Sequence, residues 1–177
     1  MPDVYGGGWF HLPAAWLVPL ATTDFRLWAY GLRWLYGLTR FLHLLGMSGF
    51  LGLLLLLNLL RLGAFPGASI ATARRPILTV MNSAFALTVA SGLALFLYDP
   101  IGVGLHTMFL PKLVLIALGL VQAYYLERIA VMRRHALRRG SAAAALAVWI
   151  LVIGCSTWNA VERPLNPADV HRLDPRG

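Results

Sequence analysis

FLHLLGMSGFLGLLLLLNLL, residues 41–60, is an uncharged run held between Arg40 and Arg61. At about 1.5 Å of rise per residue, a helix of this length just covers a hydrocarbon layer of about 30 Å. The run therefore predicts a membrane-spanning helix. Its single ionisable residue, His43, lies in the first turn, which places an imidazole near one face of the bilayer.

The composition of the whole chain agrees with a membrane protein. The 177 residues are 59% hydrophobic and 12% charged, and their mean hydropathy is +0.70. An ordinary soluble domain has roughly 25% charged residues, about twice as many. Four spans with short connections would use most of this length, so the expected fold class is all-α, an integral membrane four-helix bundle with an N-terminal amphipathic interfacial helix.

Three further apolar runs predict the other spans. Two of the connections between spans carry several arginines, whereas the connection between the second and third spans is rich in glycine and proline. The predicted spans after the first cover residues 77–98, a segment from Pro111 towards Met132, and residues 142–161.

Residues 1–31 are expected to form an aromatic interfacial segment, because tryptophan and tyrosine concentrate at the membrane surface. Asp24 can cap a helix that runs through Arg26, Arg33 and Arg40 and either leads or bends into the first span. The remaining boundaries are a bundle over 32–161 and a polar tail over 162–177.

The net charge of +8 raises the question of nucleic acid, which we exclude because the basic residues cluster in short segments between apolar runs. Such clusters are topology signals, and loops rich in Lys and Arg stay in the cytoplasm. This rule predicts cytoplasmic sides for residues 61–76 and for the connection near 133–139. Both termini would then lie in the periplasm of a bacterial inner-membrane protein.

With this topology, two histidines lie at a similar depth, His43 in the first span and His106 just before the third. Neutral imidazoles from two helices can supply both axial ligands of a low-spin haem b iron. We expect these two residues to be the metal ligands. Cofactor-binding roles are predicted for four neighbours: Gly46 and Gly49 would leave room for the porphyrin, and Arg40 and Lys112 would pair with its propionates.

Each of these residues also has a simpler interpretation. His43 can be an interfacial polar group, the glycines can be plain helix-packing positions, and Arg40 and Lys112 can be anchors that reach the membrane surface. His106 can lie in a loop that faces water, and His11 is then the alternative second ligand. His135, in a basic loop, and His171, in the tail, are expected to be solvated.

Signals for other chemistry are missing from the sequence. The chain has no CxxC, HExxH or GxSxG pattern and no phosphate-binding glycine loop. No predicted span has an acidic residue at its centre, which argues against an ion pump or a proton-coupled transporter. We therefore expect no bond-making catalysis.

The first span and its exit, FLHLLGMSGFLGLLLLLNLLRLGA, resemble the opening of a group of small bacterial four-helix membrane proteins of unassigned function. The segment YDPIGVGLHTMFLPKLVLIALGL resembles the connection between the second and third helices of the same group. This group is distantly similar to cytochrome b561-like and copper-resistance protein D-like membrane domains. The resemblance covers about residues 33–160 and supports His43, Arg61 and Lys112 as family positions, although Asn58 stands where the group has an acid.

The resemblance and the histidines together imply a b-type haem subunit in the lipid bilayer, either an electron carrier or the membrane anchor of a larger redox complex. Its expected partners are other subunits of that complex, the quinone pool or a periplasmic cytochrome. The alternative is a cofactor-free accessory subunit that stabilises a membrane complex. A third interpretation is a small haem-dependent oxidase that acts on a porphyrinogen.

Overall fold

The computed structural model describes residues 12–65, 70–129 and 135–161. Those residues form helices joined by short turns, with no strand among them. The seven helices of the described part are α1 (Ala14–Ala21), α2 (Asp24–Gly31), α3 (Arg33–Leu62), α4 (Ile70–Tyr98), α5 (Pro100–Gly104), α6 (Phe109–Ile129) and α7 (His135–Val161).

Three of these helices, all within the described residues, are long and apolar enough to cross a membrane. The qualifying segments are Trp34–Leu62 of α3, Arg74–Tyr98 of α4 and Arg139–Val161 of α7. The apolar part of α6 is shorter, Phe109–Ala123. For the described residues the expected all-α fold is thus confirmed, with three candidate spans and one shorter apolar helix.

The long helices lie side by side, with α3 in the middle. Helix α3 packs along α4 on one side and along α7 on the other, and α7 packs along α6. The shared core is aromatic: the Phe50 ring lies 4.7 Å from Trp149 and 5.0 Å from Phe85, measured between ring centroids. These three rings join α3, α4 and α7 at mid-length.

Small residues allow the helices to approach. A Cβ at Gly119 of α6 would lie 3.1 Å from two indole carbons of Trp149, so this glycine receives the tryptophan of α7. Polar side chains add two connections: Gln122 donates to the carbonyl of Ser141, and Asn159 accepts from the backbone N–H of Met108. Because lipid tails compete for apolar contacts, close packing and such hydrogen bonds carry helix association in membranes.

The short helices gather where α3 begins and α4 ends, which we call the α5 end of the bundle. The backbone N–H of Leu12 donates to the Gly104 carbonyl at 3.0 Å, and the buried Leu17 side chain of α1 lies against Gly104. Arg26 of α2 donates to the carbonyls of Tyr98 and Ala21. The polypeptide before α3 is therefore tied to the end of α4 and to α5.

Several predicted boundaries differ from the structure. Helix α2 ends at Gly31 and α3 starts at Arg33, so the expected continuous helix is broken at Leu32. Thr23, not Asp24, occupies the N-cap, and its hydroxyl donates back to the Leu20 carbonyl instead of capping α2. His135 begins α7, so the expected loop position was wrong.

The first basic connection is also shorter than predicted. Helix α4 starts at Ile70, which places Arg74 and Arg75 inside the helix, followed by Pro76. Asn58, near the other end of α3, donates to the Leu54 carbonyl of its own helix rather than to a neighbour. The tail over 162–177 and His11 lie outside the described residues.

The contact between Leu17 and Gly104 gives a testable prediction. A Cβ at Gly104 would come within 2.6 Å of Leu17 Cδ2, so Gly104→Val is expected to displace α1 from α5. The displacement should appear as faster protease cleavage after Leu17 or Leu20, with the long helices intact by circular dichroism. Gly31→Val is the control, because a Cβ at Gly31 meets nothing within 4 Å. Equal cleavage of the two variants would contradict the prediction.

Candidate functional site

The imidazole of His43 is fixed against α4. Its Nδ1 lies 3.0 Å from the Thr88 carbonyl oxygen and 3.2 Å from Ser91 Oγ. A carbonyl can only accept, and the Ser91 hydroxyl already donates to the Leu87 carbonyl. Both neighbours of Nδ1 therefore act as acceptors, and we assign the proton of the neutral imidazole to Nδ1.

About one turn of α4 supplies the groups that position the His43 ring. The Thr88 hydroxyl donates to the Ala84 carbonyl at 2.8 Å, so this side chain is satisfied within α4 while the Thr88 carbonyl lies against His43. Gly92 supplies the space, since a Cβ there would lie 2.9 Å from His43 Cε1 and 3.3 Å from Nδ1. Any larger residue at 92 would push the ring out of its hydrogen bond.

The second ring nitrogen is left available. No hydrogen bond joins His43 Nε2 to any residue in the described part of the chain. With the proton on Nδ1, Nε2 carries a lone pair that can accept a hydrogen bond or coordinate a metal. Histidines that ligate metals almost always donate their other N–H to a carbonyl or carboxylate, which fixes the ring and its tautomer.

His43 lines a cleft at the α5 end of the bundle, between the start of α3 and the end of α4. The cleft has a volume of about 610 Å³, within the range of about 300–1,000 Å³ that small-molecule and cofactor sites occupy. Its walls combine aromatic, aliphatic and charged side chains. The lining residues are Tyr36, Arg40, His43, Leu44, Leu95, Tyr98, Asp99 and Val103.

The two charged side chains of the cleft, Asp99 and Arg40, differ in their hydrogen bonds. Asp99 caps α5, and its Oδ1 accepts from the backbone N–H of Gly102 at 3.0 Å. Arg40 is exposed and makes no hydrogen bond or ion pair with any residue that the structure describes. The rings of Tyr36 and Tyr98, 4.9 Å apart, link α3 to α4 beside it. The cleft thus presents one available cation and one available imidazole nitrogen.

The structure places only two of the six predicted site residues on the cleft, His43 and Arg40. His106 is half-buried in the turn between α5 and α6, and Lys112 is half-buried in the first turns of α6. Lys112 lies within electrostatic range of both His43 and Cys155 of α7. Neither His106 nor Lys112 lines the cleft.

The space beside the two predicted glycines is filled by α4. A Cβ at Gly46 would lie 2.7 Å from Thr88 Oγ1 and 2.9 Å from the Ala84 carbonyl oxygen, and one at Gly49 would lie 3.4 Å from Ala84 Cβ. Their position matches the helix-packing interpretation. Room for a cofactor at His43 comes instead from the cleft.

Sequence reasoning missed the residues that orient His43. Thr88 and Ser91 are only weakly polar positions of the predicted second span, and the sequence assigned no role to Gly92, Tyr36 or Tyr98. The available signal was the spacing of Thr88, Ser91 and Gly92, which puts all three on one side of a helix. This spacing indicates a site only when a neighbouring helix is known to place a histidine at the same depth.

Among the described residues, no three His, Cys, Asp or Glu side chains form a group that could hold a metal ion. No known family model, curated protein or solved structure matches the chain.

Proposed function

We propose that this chain is the b-type haem subunit of a membrane redox system, with His43 as an axial ligand of the iron. The orientation of His43 carries the proposal. His43 Nδ1–H donates to the Thr88 carbonyl, whereas His43 Nε2 has no hydrogen-bond partner among the described residues. His43 also lines the cleft. A histidine kept only for helix packing has no need of an available nitrogen beside a cleft of about 610 Å³.

The donor chemistry of the site fits a haem in three respects. His43 supplies a neutral imidazole of defined tautomer, and Leu44 and Leu95 supply apolar wall. Arg40 supplies an unengaged guanidinium, which pairs well with a carboxylate such as a propionate. In this proposal His106, in the turn that follows α5, would be the second ligand of the iron, and Lys112 would supply a further positive charge.

When bound, a haem at this position supplies reversible one-electron chemistry. The chain itself would orient the iron ligand His43 through the Thr88 carbonyl and the Ser91 hydroxyl. In this proposal the protein has four spans, counting α6, and the α5 end of the bundle faces the bacterial periplasm. Electrons would pass between a periplasmic protein and the quinone pool, or through a larger complex that this subunit anchors.

The deciding experiment is a dithionite-reduced minus oxidised visible spectrum of the detergent-purified chain, with a pyridine haemochrome assay for stoichiometry. We expect the sharp α-band of a six-coordinate b haem and about one haem per chain, because a helix bundle with two histidine donors can hold one low-spin haem. A colourless protein from haem-sufficient cells would refute the proposal and favour a cofactor-free accessory subunit.

A further inference from the structure

The face of α4 that points away from α3 carries polar groups along a membrane span. Helix α4 packs along α3, and its other long side has no extended contact with α6 or α7 in the described structure. From residue 79 to residue 90 the exposed side chains along the centre line of this α4 outer face are small or polar: Thr79, Asn82, Ser83, Ala86 and Ala90. The exposed Leu93 continues this line.

Two of the three polar side chains on the α4 outer face are satisfied within the helix. Ser83 Oγ donates to the Thr79 carbonyl and Thr79 Oγ1 donates to the Arg75 carbonyl, both at 3.1 Å. Asn82 is different, because its exposed carboxamide makes no hydrogen bond with any residue that the structure describes. It is the only exposed carboxamide in the described long helices.

The depth of Asn82 makes this exposure costly. Asn82 follows Arg75 by seven residues, which places it about 10 Å along the helix from that basic end. At this depth in the candidate span the surroundings would be hydrocarbon, where an amide without a hydrogen-bond partner is unfavourable. Polar groups inside membranes accordingly tend to mark contacts between helices.

We propose that the α4 outer face binds the same face of a second copy of this chain. All copies insert with one orientation, so a two-fold axis along the membrane normal brings Asn82 of each copy to the same depth. A carboxamide has both donors and an acceptor, so two copies of Asn82 satisfy each other, whereas a different partner would need its own polar residue at that level. Ala86 and Ala90 allow the two helices to approach closely.

Disulfide cross-linking in liposomes tests the arrangement. In the full chain with Cys155→Ala, a single cysteine at Ala86→Cys is expected to form a cross-linked dimer readily under mild oxidation. Ala147→Cys, on an exposed position of α7, is the matched control and is expected to stay largely monomeric. Equal cross-linking at both positions, or none at Ala86→Cys, would overturn the proposal. Absence of cross-linking at Ala86→Cys would indicate that a different partner covers the α4 outer face.

The contribution of the amide is measured by the dimer dissociation constant in the same liposomes, for example by single-molecule photobleaching. Asn82→Leu is expected to weaken dimerisation about three- to twenty-fold, the effect of one interhelical polar contact in a membrane. Thr157→Val, which removes an exposed hydroxyl of α7, should leave the constant unchanged. An unchanged dissociation constant for Asn82→Leu would overturn the role of the amide. Haem content does not enter either readout, so the proposed function can fail independently.

Discussion

His43→Gly is expected to purify without haem, and added imidazole is expected to restore the reduced α-band. Among the described residues, the substitution removes the only ring whose nitrogen is both oriented by α4 and available at the cleft. Loss of a hydrogen-bonding partner behind a metal ligand commonly costs 10- to 100-fold in affinity, so loss of the ligand itself should weaken haem binding at least about 100-fold. The measurement is haem per chain by pyridine haemochrome, with and without imidazole.

Rescue by imidazole separates a ligand from a structural residue. Free imidazole can occupy the cavity that the variant creates and coordinate the iron, but it cannot repair a general packing defect. His135→Gly is the control, because His135 begins α7 at the opposite end of the bundle from the cleft. If His43→Gly keeps the full haem spectrum, His43 is not a ligand of the iron. If it loses haem and imidazole restores nothing, the role of His43 is structural.

The sequence was sufficient to predict the long helices, because an uncharged run of about 20 residues has few alternatives to a membrane-spanning helix. It also placed Pro111 in the first turn of α6, where the missing N–H of proline is tolerated. The boundaries near Arg74 and Arg75 were wrong for a physical reason. Arginines near a span can continue the helix beyond the hydrocarbon, so a charge marks the end of the apolar run and not the end of the helix.

The site was harder to predict than the helices, because its geometry depends on which sides of α3 and α4 meet. The spacing of Gly46 and Gly49 after His43 puts them near one side of α3, but spacing cannot distinguish room for a ligand from room for another helix. The structure shows α4 in that space. Thr88 acts on His43 through its backbone carbonyl, a group that every residue has, so only its position on one side of α4 with Ser91 and Gly92, and not its side chain, could signal this role.

The close approach at Gly46 predicts a large effect on stability. In Gly46→Leu, even the first side-chain atom would lie 2.9 Å from the Ala84 carbonyl oxygen and 3.0 Å from the Thr88 backbone nitrogen. Backbone atoms of a helix cannot move aside as a flexible side chain can, so α3 and α4 must separate along part of their contact. Overpacking typically lowers the free energy of unfolding by about 1–3 kcal/mol. Because Gly46→Leu would clash with backbone atoms, we expect a loss at or above the upper end of this range.

Gly52 provides the matched control on the same helix, because a Cβ there meets nothing within 4 Å. Leucine is a better helix former than glycine by up to about 1 kcal/mol, so Gly52→Leu should be neutral or slightly stabilising. The free energy of unfolding, measured by titration with a denaturing detergent in mixed micelles, is therefore expected to fall in Gly46→Leu and to stay the same or rise slightly in Gly52→Leu. Equal stability would mean that α4 does not lie against Gly46. Because separation of α3 from α4 also withdraws the Thr88 carbonyl from His43, the Gly46→Leu variant should lose haem together with stability.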